Sequence, residues 1–140
     1  MKTLKFSIEI NAPKTRVWEV LWNDESYKKW TSVFSSSSHA VSDWQEDSEI
    51  LFIDDNEDGL VAIIQKKMLN EQMTFRYLGE MKEGKEIVNE WAGAIEDYRV
   101  SEKNGKTELN IEMDVTEEYE GFFEDKFIKA MDIIKDLSEN

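Results

Sequence analysis

The sequence predicts an α+β fold in which a curved antiparallel sheet of about six or seven strands wraps around a long C-terminal helix. Three observations predict it: segments of apolar–polar alternation, turn residues between them, and one long final segment with helical spacing. Alternation with a period of two is typical of half-buried strands, and apolar residues three or four apart are typical of an amphipathic helix. Each layer would cover the apolar face of the other.

The first strand is predicted over Leu4–Ile10, where apolar residues alternate with polar ones and face the core. Pro13 suits the first turn of a helix, and the apolar residues of the helix that follows continue from Val17 to Trp22. Asn23-Asp24 ends that helix and can cap a second short helix, Glu25–Trp30. A serine-rich loop, Thr31–His39, comes next.

The middle of the chain predicts a series of strands separated by turns. Asn104-Gly105 is the strongest hairpin signal, because both residues tolerate a positive φ. The predicted strands are Ala40–Gln45, Glu49–Asp54, Leu60–Met68, Met73–Met81, Ile87–Val100 and Thr107–Val115.

The final helix is predicted over Tyr119–Leu137. Acidic residues are concentrated at its start and lysines towards its end, which complements the helix dipole. Its apolar face comprises Phe123, Phe127, Ala130, Met131, Ile134 and Leu137.

Composition narrows the functional classes. The 140 residues are expected to form one domain, 1–140, and carry a formal net charge of −14. Such a charge argues against nucleic-acid binding and against binding to anionic membranes. The absence of cysteine excludes disulfides, zinc–thiolate sites and cysteine nucleophiles. No apolar stretch is long enough for membrane insertion and none resembles a signal peptide, so a cytoplasmic location is expected.

Several segments carry a resemblance that extends over the whole chain. They are Ile8–Pro13 with Val17–Leu21, Tyr27–Trp30, Trp44–Ile50, and Thr107–Leu109 with Gly121–Phe123. Together they resemble the START-related, birch-allergen-like (SRPBCC) superfamily, whose fold is called the helix-grip, and within it the heat-shock-protein ATPase activator homologue-like group. The chain departs from that group at Asp47, where the Trp-containing hairpin usually carries Gly.

The resemblance implies a cavity between the sheet and the C-terminal helix. The superfamily includes lipid and steroid carriers, polyketide cyclases and chaperone co-factors, so fold alone does not choose a function. Our leading hypothesis is a module that binds a hydrophobic small molecule (a lipid, sterol or aromatic compound) without a cofactor or covalent chemistry. A cyclase- or hydrolase-like enzyme, drawing on Glu90, Tyr77, Arg76 or His39, is one alternative. A module that docks on a protein partner or forms a homodimer is the other.

The inward-facing residues of the predicted strands and final helix, with Trp30 and Phe34 at the cavity mouth, give the expected ligand-binding set. Such a stripe is more often a packed core, and the resemblance is what favours a cavity. Glu90 belongs to the set only if a bulge at Gly93 turns its side chain inward as a polar anchor. The set comprises Trp30, Phe34, Phe75, Tyr77, Glu90, Trp91, Ile111, Met113, Phe123, Phe127 and Met131.

Metal binding is not predicted. Asp54–Gly59 matches the start of a calcium-binding EF-hand loop, but Gln65 stands where the bidentate Glu is required. The flanking segments have patterns typical of strands rather than helices, so we expect a solvated acidic hairpin turn. His39 is the only histidine, which rules out a triad of histidine ligands.

Overall fold

Eight strands and three helices make up the chain in the computed structural model, which describes residues 1–140. The strands are β1 (Lys2–Ile10), β2 (His39–Val41), β3 (Glu49–Ile53), β4 (Gly59–Met68), β5 (Gln72–Lys82), β6 (Lys85–Ile87), β7 (Ile95–Lys103) and β8 (Lys106–Val115). The helices are α1 (Lys14–Trp22), α2 (Asp24–Thr31) and α3 (Glu120–Glu139), and a 3₁₀ turn at Glu117–Tyr119 precedes α3.

All strands belong to one antiparallel sheet with the order β1-β8-β7-β5-β4-β3-β2, and β6 pairs with the end of β5. The register places apolar residues of β1 opposite apolar residues of β8, with Leu4 facing Met113 and Ile8 facing Leu109. Register shifts between β4 and β5 mark bulges, which bend strands. The predicted α+β class is confirmed, with one strand more than expected.

The helix α3 packs along the concave face of the sheet. Its buried positions follow the predicted apolar face from Phe127 to Ile134, and Ser138 extends them. The ring of Phe127 stacks on Phe6 of β1, with 5.6 Å between ring centroids. Burial of one large apolar side chain contributes roughly 1.5–3 kcal/mol, so this contact anchors the helix. None of the three helices combines the length and the hydropathy that a membrane span requires.

Two predicted strands are wrong in part. The segment Ile87–Val100 is divided: β6 ends at Ile87, residues 88–94 lie outside the strands with a turn at residues 90–93, and β7 begins at Ile95. Gly93 has a φ of 96°, which extended backbone does not adopt. Its N–H donates to the Tyr77 carbonyl at 2.7 Å, so the turn is tied to β5.

The predicted strand Ala40–Gln45 is also too long, because β2 ends at Val41. Trp44 has a φ of 60°, and its ring leaves the strand path to pack 5.8 Å from the ring of Trp22. A positive φ also explains why the resembling group usually carries Gly at the position of Asp47. This residue has a φ of 72°, so it adopts the left-handed conformation that glycine favours.

Replacement of a core residue of α3 should reveal how much the fold depends on this helix. Ile134 is fully buried, and Ile134→Ala should lower the free energy of unfolding by about 2–5 kcal/mol. Ile128 lies on the same helix at 50% exposure, so Ile128→Ala should change it by no more than about 0.5 kcal/mol. Urea unfolding measures the free energy of unfolding of both variants. Equal changes in the two variants would contradict the packing of Ile134 against the sheet.

Candidate functional site

A cavity of about 340 Å³ opens between α2, the β3–β4 hairpin and the first half of α3. Aromatic and aliphatic side chains form most of its wall, and serine and carboxylate groups lie among them. The lining residues are Tyr27, Trp30, Thr31, Phe34, Ser35, Ser38, Phe52, Ile53, Asp54, Asp58, Gly59, Leu60, Tyr77, Glu96, Phe123 and Phe127.

The cavity exists because α3 packs tightly along only part of its length. Burial begins at Phe127, whereas Phe123 is half-buried and Phe122 is 48% exposed. Phe34, from the serine-rich loop, packs edge-on against Phe127 with centroids 5.1 Å apart. Space therefore remains between the start of α3 and the sheet.

A carboxyl group is buried in the wall of this cavity. Glu96 lies on β7 and is only 6% exposed, and its side chain shares the inward phase of Tyr98 and Val100. The hydroxyl of Tyr77, on neighbouring β5, donates to Oε2 of Glu96 at 2.6 Å. No basic side chain forms an ion pair with Glu96, so hydroxyl groups are its main polar neighbours.

Burial controls the protonation of this group. Desolvation raises the pKa of Glu96 to about 7, although hydrogen bonds from Tyr77 and Tyr98 favour the charged form. Burial also raises the pKa values of Tyr27, Tyr77 and Tyr98 well above the usual value, so these phenols are neutral at pH 7. A carboxyl poised near neutrality can bind a polar ligand group or exchange a proton with it.

A second cavity of about 220 Å³ lies on the other side of Phe123. Trp91 and Met113 line it, and Tyr119 and Phe122 form part of its wall. Leu60, Tyr77 and Phe123 line both cavities and therefore form the partition between them.

The predicted ligand-binding residues divide into three groups. Trp30, Phe34, Tyr77, Phe123 and Phe127 line the first cavity, and Trp91 and Met113 line the second. Three further residues lie in the packed core without lining either cavity: Phe75, Ile111 and Met131.

Glu90 is a separate case, because its side chain is exposed. Residues 88–94 lie outside the strands, so the condition for an inward Glu90, a bulge at Gly93 within a strand, is not met. The polar group of the cavity is instead Glu96, which the sequence analysis missed. Tyr98 and Val100 indicate its orientation, because residues two apart in a strand face the same side.

Other residues considered for chemistry lie outside the cavity or are engaged in turns. Arg76 is exposed, and His39 is half-buried with Nδ1 2.9 Å from the Ser37 carbonyl oxygen. In the turn between β3 and β4, Oδ1 of Asp54 accepts the backbone N–H groups of Asn56 and Asp58. The structure contains no group of three His, Cys, Asp or Glu side chains arranged to hold a metal ion.

No model of a known protein family matches the sequence, and no curated protein is similar to it. Solved structures match the fold over almost the whole chain. The Aha1 dimer from Colwellia psychrerythraea has a TM-score of 0.78 and 17% identity, over 99% of this chain and 97% of that one. Protein MLL2253 from Mesorhizobium loti has a TM-score of 0.77 and 10% identity, over 97% and 96%.

CalU16 from Micromonospora echinospora has a TM-score of 0.72 and 14% identity, over 97% of this chain and 75% of that one. The chain therefore has the helix-grip fold that its resemblance implied, and these identities establish likeness of fold only.

The pKa of Glu96 predicts how stability depends on pH. The usual pKa of this side chain is 4.5, so between that value and about 7 the folded protein keeps a proton that the unfolded chain has lost. The contribution of Glu96 to stability therefore falls as pH rises through this window. Glu96→Gln should become more stable relative to the wild type by on the order of 2 kcal/mol between pH 5 and pH 8.

Urea unfolding of both proteins at the two pH values measures this difference, because titration of all other groups cancels in the comparison. A difference between the two proteins that does not change with pH would contradict the buried position of Glu96.

Proposed function

We propose that residues 1–140 act as one ligand-holding domain, which binds an apolar or aromatic small molecule in the cavity between the sheet and α3. The observation that supports it is the 340 Å³ cavity with an aromatic wall and one buried carboxyl group. Small-molecule sites combine predominantly apolar walls with a few placed polar groups in this way.

The dimensions of the cavity favour a compact ligand. Ligand sites generally have volumes of about 300–1,000 Å³, so this cavity is at the small end of the range. One or two fused rings fit such a space better than a sterol or a long acyl chain. Glu96 and Tyr77 would fix the orientation of a polar substituent at the inner end.

Binding can be tested with a neutral aromatic probe, 1-naphthylmethanol. We expect it to shift the backbone amide NMR signals of cavity residues such as Thr31, Phe34 and Tyr77. Leu60→Trp should weaken binding, because it adds bulk at the partition between the cavities.

Leu69→Trp is the matched control, since Leu69 is exposed in a distant turn. Shifts that are absent, or that are equal in both variants, would contradict the proposal. Native mass spectrometry of the protein as purified, before the probe is added, tests the enzyme alternative on any molecule that purifies with it. A ligand released with a changed mass would favour a cyclase- or hydrolase-like reaction, for which Glu96 and Tyr77 are the available acid–base groups.

Self-association is a second candidate property. The matching Aha1 structure is described as a dimer. In this chain Tyr119 and Phe122 are each 48% exposed and three residues apart, so they form an apolar surface at the start of α3.

We expect sedimentation velocity to detect a dimer that Phe122→Glu converts to a monomer. Ile128→Glu is the control, because Ile128 is equally exposed on a different face of α3. A wild-type protein that stays monomeric as its concentration rises would refute association.

A further inference from the structure

We propose that the ligand of the first cavity is an organic cation, with a compact aromatic body and a basic nitrogen that reaches Glu96. This inference rests on the proposed function, because it names the chemical class of the molecule bound there. Three features support it: the negative charges of the cavity wall, its aromatic rings, and the lack of a cationic partner for the buried carboxyl group.

The charged groups of the wall all have one sign. They are Asp54, Asp58 and Glu96, and no Lys, Arg or His lines the cavity. Asp54 and Asp58 are held in place at the hairpin, where backbone N–H groups donate to them. A ligand with a carboxylate or phosphate would meet only negative charge here, whereas a cation would be attracted towards the cavity.

Aromatic rings surround the space inside these carboxylates. Tyr27 lies 5.2 Å from Trp30 and 6.4 Å from Phe52 between ring centroids, and all three rings line the cavity. The face of an aromatic ring attracts a cation through its quadrupole, most strongly where water is excluded. The same rings supply apolar surface for the body of the ligand.

The buried carboxyl lacks a positive partner within the protein. Glu96 makes no salt bridge, and its polar neighbours are the neutral phenols of Tyr77, which donates to Oε2 at 2.6 Å, and Tyr98. A carboxylate has about four acceptor sites, so a ligand ammonium can bind beside that hydroxyl. A ligand cation would provide the counter-charge that an ionised carboxylate needs when it is removed from water.

Proton exchange follows from this arrangement. Tyr27, Tyr77 and Tyr98 face Glu96 as neutral groups, and the two aspartates lie at the hairpin side of the cavity. A bound cation stabilises the ionised form of Glu96, so binding should release a proton wherever the free protein is partly protonated. Affinity for a permanently charged cation should therefore increase as pH rises from 6 to 8.

The experiment compares three probes of similar shape by isothermal titration calorimetry: 1-naphthylmethylammonium, neutral 1-naphthylmethanol and anionic 1-naphthoate. At pH 8 we expect the cation to bind at least about tenfold more tightly than the alcohol, and the anion to bind most weakly. Glu96→Gln should remove most of the preference for the cation, leaving the weaker attraction of Asp54 and Asp58, and should preserve binding of the alcohol.

Glu90→Gln is the matched control, because it also removes one negative charge but from an exposed position outside the cavity. It should retain the preference. Equal affinity of the wild type for the cation and the alcohol would overturn this inference and leave the proposed function intact. Failure of all three probes to bind would overturn both. The wild-type comparison decides the inference even if Glu96→Gln does not fold.

Discussion

The packing of α3 against the concave face of the sheet is the contact on which the other features depend. A helix with an apolar face must cover it, and the sheet needs the same cover for its own inner side chains. From Phe127 to Ser138 the two surfaces meet and the contact is tight. Before Phe127 the helix still lies over the sheet, but its side chains do not fill the space beneath it.

This uneven contact explains the position of the candidate site. The short helix α2 and the β3–β4 hairpin border the unfilled region, and their rings form its walls. Strand β7 contributes Glu96 because the chain re-enters the sheet at Ile95 with even-numbered residues facing inward. Burial of an ionised carboxyl group at that position costs free energy unless the group is protonated or paired with a cation. The pKa of Glu96 therefore depends on whether a bound ligand carries a positive charge.

Much of the architecture could be predicted from the sequence because its elements are strongly periodic. The alternation in β1 and β8 and the helical spacing in α3 determined the class of fold, and Asn104-Gly105 located a hairpin. The region between Ile87 and Ile95 could not be predicted in the same way. There β5 exchanges one partner strand for another, and this is a tertiary event without a local periodic signal. Because the site depends on that exchange, the sequence pattern offers Glu90 as a polar anchor only with a bulge that the structure does not form, and it gives no role to the buried Glu96.

A carboxyl group excluded from water forms part of the cavity wall. Titration of the side-chain carboxyl ¹³C signals by NMR tests it most directly, with Glu96→Gln used to assign the Glu96 resonance. The structure predicts a midpoint near pH 7 for Glu96. A midpoint at the usual value of a solvated glutamate would show that water reaches the group freely and that Glu96 is not part of a closed cavity wall.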